Sequence, residues 1–346
     1  MRSRHRLIVH AATAAVLALS WAGVSAQRAT TGLAREPACQ TLTPTSAGGP
    51  APRDASTLVV RWLGASNHEF AYRNQVVLMN AYYDRPSRTK PIGVTRDDIK
   101  HVDAIFVGHG HADHMADVPD LAARTGARVF GGPPTIEHAR KLGVADAQMV
   151  TVRGGEIHKF PGFTVEAILA RHADPAGVAR GREAMVPGLR ALQDPPLSAA
   201  EQMHDADVAR RGTNDPRVLT EGTIAYLFTF DGGYRLMFLD SAGPVTDAER
   251  QVMNRIGTTD LAFVAYQGFY TAERQSAATL PLIELFHPAI YLPTHHDEIA
   301  GVWLDMAVYP LFMRIRDELP ETRSISPLYR TPVCINTRTK DVFVGR

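Results

Sequence analysis

The chain has 346 residues, 45% of them hydrophobic and 21% charged, the composition of a soluble globular protein with enough apolar material for a sizeable core. That balance excludes a disordered chain, a collagen and a coiled coil. Lysine and arginine total 37 against 36 acidic residues, and beyond residue 26 the balance is 34 to 36, so no nucleic-acid partner is expected of so weakly basic a surface. Two cysteines are too few for a disulfide scaffold or a cysteine-rich zinc module.

Residues 1–26 carry a basic start (Arg2, Arg4, Arg6), an apolar run from Leu7 to Val24 and the small-residue exit Val24-Ser25-Ala26. This is the pattern of a secretory signal peptide, with cleavage expected after Ala26. The run of 18 residues is also long enough for a membrane anchor, which needs roughly 17–25, but His10 and the small exit favour cleavage. A periplasmic or secreted location is therefore expected, with no stable membrane association once the leader is removed. In an oxidising compartment Cys39 and Cys334 either pair or remain free buried thiols. Residues 27–55, rich in Ala, Thr, Pro and Gly without apolar periodicity, read as an extended linker or wrapping arm before a folded domain over 56–346.

Short β runs open that domain: Leu58 to Trp62, Glu69 to Tyr72, a turn at Arg73-Asn74, and Val76 to Met79. The strand Ala104 to Val107 ends at Gly108 and runs into a histidine cluster. Beyond it the pattern predicts a helix over Asp117–Arg124, a strand over Ala127–Phe130, a helix over Thr135–Leu142, and a strand pair around Val150 and Phe163–Leu169. Thr223–Phe230 and Arg235–Leu239 flank Asp231-Gly232-Gly233 as a hairpin. Helices over 246–256, 277–286 and 302–319 then alternate with strands over 261–265 and 289–292. Two β-rich halves, each followed by helices, predict two sheets packed face to face with helices outside.

Residues 176–221 break this rhythm. They contain no Phe, Tyr or Trp, carry six arginines beside seven acids, and cannot form a core alone, so they read as an insertion lying on the body. Within them Ser198 and Glu201 form a capping-box pattern opening a helix toward Arg211, closed by Gly212.

Chemistry concentrates in His109-Gly110-His111-Ala112-Asp113-His114, directly after a buried-looking strand. A side-chain period of two points His109 and His111 the same way, while Asp113 and His114 lie on the turn into the next helix. Two imidazoles on one side, and a carboxylate with an imidazole around the bend, can serve two adjacent metal ions. No Gly-x-Ser-x-Gly elbow, cysteine–histidine neighbour or Gly-rich phosphate loop offers a competing scheme.

This is the His-x-His-x-Asp-His motif, and the chain resembles the metallo-β-lactamase superfamily. The resemblance extends to His172 after the strand Phe163–Leu169, to Asp240 closing Met237-Phe238-Leu239-Asp240, and to His295 in Pro293-Thr294-His295. Trp62-Leu63-Gly64-Ala65-Ser66 is similar to the start of the branch that holds ascorbate-phosphate lactonase-like and N-acyl-phosphatidylethanolamine phospholipase D-like enzymes. Asn80-Ala81 stands where that branch has Asp-Pro, and the insertion is long for it. The family likeness implies an α/β fold, a four-layer αββα sandwich of two mixed sheets with outer helices.

It also implies a site. His109, His111 and His172 would bind one ion, Asp113, His114 and His295 a second, and Asp240 would bridge them. Two divalent ions, zinc by default with manganese or iron as alternatives, suit imidazole and carboxylate ligands. Zinc lowers the pKa of bound water to about 7, so the implied reaction is hydrolysis of a small lactone, ester, β-lactam or phosphoester, with Asp113 orienting the hydroxide. His296 is either a proton donor to substrate or a structural neighbour of His295. His68 is a candidate to reach the site, Ser241 reads as a backbone-shaping or outer hydrogen-bonding residue, and His101, His138, His158, His204 and His287 read as structural or solvent-facing. A non-catalytic metal- or ligand-binding export of the same fold is the alternative function.

Overall fold

The computed structural model describes residues 32–173, 195–266, 272–299, 302–303 and 307–345. The expected signal peptide lies outside these residues, as does the first part of the expected insertion. No helix among the described residues is long and apolar enough to cross a membrane.

An antiparallel meander opens the fold: β1 (Thr57–Trp62), β2 (His68–Tyr72) and β3 (Gln75–Met79). Arg73 and Asn74 have φ of 48° and 62°, the two left-handed residues that a tight primed hairpin turn demands. β4 (Ala104–Phe106), β5 (Arg128–Gly131) and β6 (Met149–Thr151) add in parallel beyond β3. The second sheet begins with β7 (Ile157–Phe160), β8 (Phe163–Leu169), β9 (Ile224–Phe230) and β10 (Arg235–Leu239), all antiparallel neighbours. β11 (Leu261–Ala265) and β12 (Ile290–Thr294) then extend it in parallel with β10. After a ribbon of β13 (Glu298–Ile299) and β14 (Val302–Trp303), β15 (Arg323–Ser324) closes the second sheet beside β12. β16 (Val333–Asn336) and β17 (Val342–Val344) return to the first sheet on the free side of β1.

Two sequence expectations are corrected, and one strand went unread. The strands around Val150 and Phe163–Leu169 do not pair: β6 ends the first sheet, and β8 pairs with β7 in the second. β7 went unread because it is an edge strand whose exposed residues include Ile157 as well as Lys159, so its pattern is faint. The helix expected over 302–319 is confined to Tyr309–Glu318, while Val302–Trp303 belong to the ribbon.

Alternation along the strands builds four layers. Val77, Met79 and Phe106 of the first sheet face Phe228, Phe238 and Phe263 of the second across a shared core. Leu78, Ile105 and Val129 point the other way, onto α1 (Ala112–Met115), α2 (Val118–Thr125) and α3 (Pro133–Lys141). The insertion contributes α4 (Ala199–Arg210). Met237, Leu239 and Val264 back onto α5 (Asp247–Ile256), α6 (Ala272–Phe286) and α7 (Tyr309–Glu318). The result is the αββα sandwich. β3 and β4 run parallel in one sheet, β10, β11 and β12 in the other, and β8 runs with β10 through the antiparallel β9. Their carboxyl ends carry Asn80, Gly108-His109, His172, Asp240 and His295, which meet at one edge of the sandwich.

The described part of the arm wraps the outer face of β1 and β2. Cys39 is bonded to Cys334 of β16, with Cα atoms 6.0 Å apart. Beside it Arg61 and Glu69 form a fully buried ion pair at 3.6 Å. Glu69 accepts the amides of Thr45 and Ser46 at 2.8 and 2.9 Å, and Arg61 donates to the Ala38 carbonyl at 2.6 Å. Two strand side chains thus satisfy an arm that has no sheet of its own. Glu69→Gln leaves the Arg61 charge buried without its counter-ion, so stability should fall by about 3–5 kcal/mol, measured by denaturant unfolding.

Candidate metal centre

The site is built on a short, tightly enclosed loop. α1 starts at His111, whose carbonyl accepts the amides of His114 and Met115, and this winds Asp113 and His114 to the far side of His109. The insertion braces the loop from outside. The Thr213 amide donates to the Gly110 carbonyl at 2.7 Å, and a Cβ on Gly212 would lie 2.1 Å from the Ala112 nitrogen, so only glycine permits that approach. Arg211 reaches Asp84 at 2.6 Å and Asp117 at 2.9 Å, locking the end of α4 to the start of α2. The helix expected from Ser198 is present with both capping-box bonds formed.

Three clusters of ligand-capable atoms occur among the described residues: His109, His111 and His172; Asp113, His114 and His295; and His109, His114 and Asp240. The first two are the triads expected from the motif. His109 Nε2 and His111 Nδ1 lie 3.1 Å apart; Asp113 Oδ2 is 2.8 Å from His295 Nε2 and 3.5 Å from His114 Nε2. Two donors on a tetrahedral zinc stand about 3.3 Å apart, so this spacing accepts an ion. His114 Nε2 is moreover buried with no hydrogen-bond partner. The nitrogen and oxygen donor set matches a catalytic zinc or a related divalent ion, and the residues fit the group that the motif implies.

Tautomers follow from the surroundings. His172 Nδ1 donates to the Ala173 carbonyl at 2.9 Å, which leaves its Nε2 as the free lone pair. The Ala173 amide donates to Ser241 Oγ at 3.0 Å, so Ser241 holds the backbone beside this ligand. Burial pushes His109 down to about 4, His111 to about 3 and His172 to about 4, so all three are neutral at physiological pH, as ligation requires. Burial would raise Asp113, but His114, His295 and His111 outweigh it and hold the carboxyl well below the usual range.

Asp240 lies between one imidazole of each triad, in a cluster with His109 and His114. It is completely buried, with Oδ1 at 2.9 Å from His109 Nδ1 and Oδ2 at 3.1 Å from His114 Nδ1. Both oxygens thus face ring nitrogens opposite those that face the other ligands. Asn80 completes this layer: its amide nitrogen lies 3.0 Å from Asp240 Oδ2 and its oxygen accepts the Gly108 amide at 2.9 Å. The sequence marks Asn80 only as a departure from Asp-Pro.

His295 has φ of 62°, a left-handed backbone that costs a non-glycine residue about 1–3 kcal/mol. The Ala65 carbonyl holds it, accepting from the His295 amide at 2.9 Å, Thr294 Oγ1 at 2.8 Å and Trp62 Nε1 at 2.8 Å. Asp297 secures Ala65 in turn. Its Oδ1 accepts the Ala65 amide at 2.9 Å, while Oδ2 takes Arg85 at 3.0 Å and Tyr329 at 2.5 Å. His296 is buried and stacked on Trp62, with ring centroids 4.4 Å apart. His68 is not brought into the triads: its ring packs on Phe263 at 4.3 Å, and burial pushes it down to about 3. Asp297 and Arg85 went unread because a lone acid after two histidines, and an arginine far away in sequence, carry no local signature.

The chain is similar to known proteins in sequence and in fold. Residues 75–191 match a family model described as a beta-lactamase superfamily domain. A UPF0173 metal-dependent hydrolase from Cupriavidus necator is 23% identical over 264 residues, 75% of this chain and 80% of that protein. Another from Methanopyrus kandleri is 21% identical over 248 residues, 71% of this chain and 87% of that one. Among solved structures, Igni18, described as a novel metallo hydrolase from Ignicoccus hospitalis, shares the fold at a TM-score of 0.54 and 16% identity, covering 81% of this chain and 98% of its own. The sandwich is thus a fold shared with a solved metallo hydrolase, and the part of the chain from β3 to beyond β8, with the His109–His114 motif inside it, is similar to the beta-lactamase superfamily domain.

Proposed function

We propose that the protein is an exported hydrolase that uses two divalent ions, zinc by default, on a small-molecule lactone, ester, β-lactam or phosphoester. The observation that carries this reading is the pair of triads at one sheet edge, His109-His111-His172 beside Asp113-His114-His295. When bound, the ions would supply a nucleophile active at neutral pH and a Lewis acid for the substrate oxygen.

The chain's own residues do the rest. His111, Asp113 and His172 are the partly exposed members, whereas His109, His114 and His295 are buried, so substrate approaches from the side of the first three. Asp113 is charged and still partly open, and it accepts from His295, which places a carboxylate where it can orient an attacking water. The stack on Trp62 supports reading His296 as a structural neighbour of His295 rather than as a proton donor. Export is supported by the basic and apolar start of the sequence and by the Cys39–Cys334 disulfide, a bond that persists in oxidising compartments.

Zinc-loaded protein should turn over at least one member of a lactone, ester, β-lactam and phosphodiester panel, and Asp113→Ala should lower kcat/KM by roughly 10²–10³-fold. Inertness with zinc, manganese and iron, alongside intact ion uptake, would instead favour a binding protein. Mass spectrometry of protein recovered from the native host's exported fraction should show a mature chain beginning at Gln27. The four imidazoles of His68, His109, His111 and His172, whose pKa values the surrounding protein lowers, stay neutral in the folded metal-free chain and charge on unfolding. Their folded values lie below the ordinary one, so the stability they confer is present above about pH 6.5 and is lost as pH falls toward 4. Unfolding of the metal-free protein at pH 5 should take up about four protons from these rings, measured by calorimetry in buffers of different ionisation enthalpy.

A further inference from the structure

We propose that Arg211, Gly212 and Thr213 are positioning residues for the metal centre: this turn of the insertion splints the loop that carries His109, His111, Asp113 and His114. The proposal rests on the reading that the two triads hold ions.

The loop cannot hold its own shape. α1 is a single turn of four residues, Ala112–Met115, and a helix so short has no stability of its own in water. Its inner side is tied to the residues after β3. The Ala81 amide donates to the His114 carbonyl at 2.8 Å, and the Asp117 amide donates to the Ala81 carbonyl at 3.1 Å. Asp117 Oδ2 accepts the amides of Tyr83 at 2.6 Å and Asp84 at 2.8 Å.

The outer side is held by three consecutive residues of the insertion, each at a different point. Thr213 holds the start: its amide donates to the Gly110 carbonyl at 2.7 Å, and its Cγ2 would lie 2.7 Å from a Cβ at Gly110. Gly212 lies on the middle, where a Cβ would meet Ala112 N at 2.1 Å, Ala112 Cα at 2.4 Å and the His111 carbonyl carbon at 2.7 Å. All three are backbone atoms that no rotamer change can clear. Arg211 holds the end, dividing its two terminal nitrogens between Asp117 at 2.9 Å and Asp84 at 2.6 Å. Asp117 is completely buried, so its carboxylate needs a counter-charge, and Arg96 is farther away at 3.6 Å.

This splint is separable from the docking of the helix that precedes it. The start of α4 is fastened elsewhere: Arg88 Nε donates to Glu201 Oε1 at 3.1 Å, and Asp205 accepts the Ser87 amide and hydroxyl, both at 2.8 Å. Those bonds hold α4 on the body and involve no residue of the metal loop. The insertion therefore belongs to the metal centre through its last turn, setting the shape of the loop without supplying a ligand.

The test compares the wild-type chain with Arg211→Met, Arg211→Lys, Gly212→Ala and Arg88→Met, under conditions where circular dichroism shows them folded. In metal-free protein, hydrogen exchange at the Ala81 and Asp117 amides should run about 10-fold faster in Arg211→Met and Gly212→Ala and be unchanged in Arg88→Met. Zinc titration against a competing chelator should show binding weakened about 10–100-fold in Arg211→Met and Gly212→Ala, and unchanged in Arg88→Met. Lysine keeps a charge beside Asp117, but its single nitrogen cannot take both carboxylates, so Arg211→Lys should fall between the methionine variant and the wild type. Arg88→Met loosens α4 as well, so a purely structural role for the insertion would move the Arg88 and Arg211 variants alike, and that result would overturn the proposal. Wild-type zinc affinity in Arg211→Met or Gly212→Ala would overturn it too; if neither folds, wild-type affinity in Arg211→Lys decides against it in the same way. A wild-type chain that takes up no zinc, manganese or iron would sink the two-ion reading, and this proposal with it.

Discussion

The site depends on strand direction. Parallel strands release their carboxyl ends on the same side, and two sheets stacked face to face bring two such sets of ends together. Everything that could hold an ion leaves from that edge: Asp240 and His295 directly after a strand, His109 and His172 three residues on, and His111, Asp113 and His114 on the loop and short helix that follow β4. The strands are stiffened by a core of interlocking aromatic rings, among them Phe70, Phe106, Phe228 and Phe230, so the ligand positions inherit the rigidity of the sandwich. Where extra precision is required, the chain accepts local strain, as in the left-handed backbone of His295, and repays it with three hydrogen bonds to one carbonyl.

Most of the fold was legible because its signals are local. Short apolar runs of strand-forming residues marked β1, β3, β9 and β10, the Arg73-Asn74 turn was read as a turn, and a capping box announced α4. The six triad residues were legible through motif and order along the chain. What escaped has a physical pattern. β7 is a half-exposed edge strand, β16 is a short segment whose meaning comes only from pairing with a strand hundreds of residues earlier, and β17 is added to the sheet only through β16. The orientation of Asp240 escaped for the same reason. Position in a motif says that a carboxylate reaches the centre, while the nitrogen it meets depends on Gly108 and Asn80, brought there by tertiary packing.

The insertion and the arm illustrate two ways of attaching segments that lack a core. The described end of the insertion docks by charge and by close backbone contact, through Arg211 on Asp84 and Asp117 and through Gly212 on Ala112. Because it seats on the loop that carries four ligand residues, variation in this segment can alter the centre without touching a ligand. The arm is attached more permanently, by a buried ion pair and a covalent bond.

The place of β16 has a consequence for how the molecule is made. It lies against β1, with Leu58 opposite Ile335, so the first strand to leave the ribosome waits for almost the last before that side of its ladder is filled. Until then an apolar ribbon stays open to unwanted partners, and folding is slowed by closure of a very long loop. A chaperone that shields β1 in that interval should therefore raise the yield of folded protein.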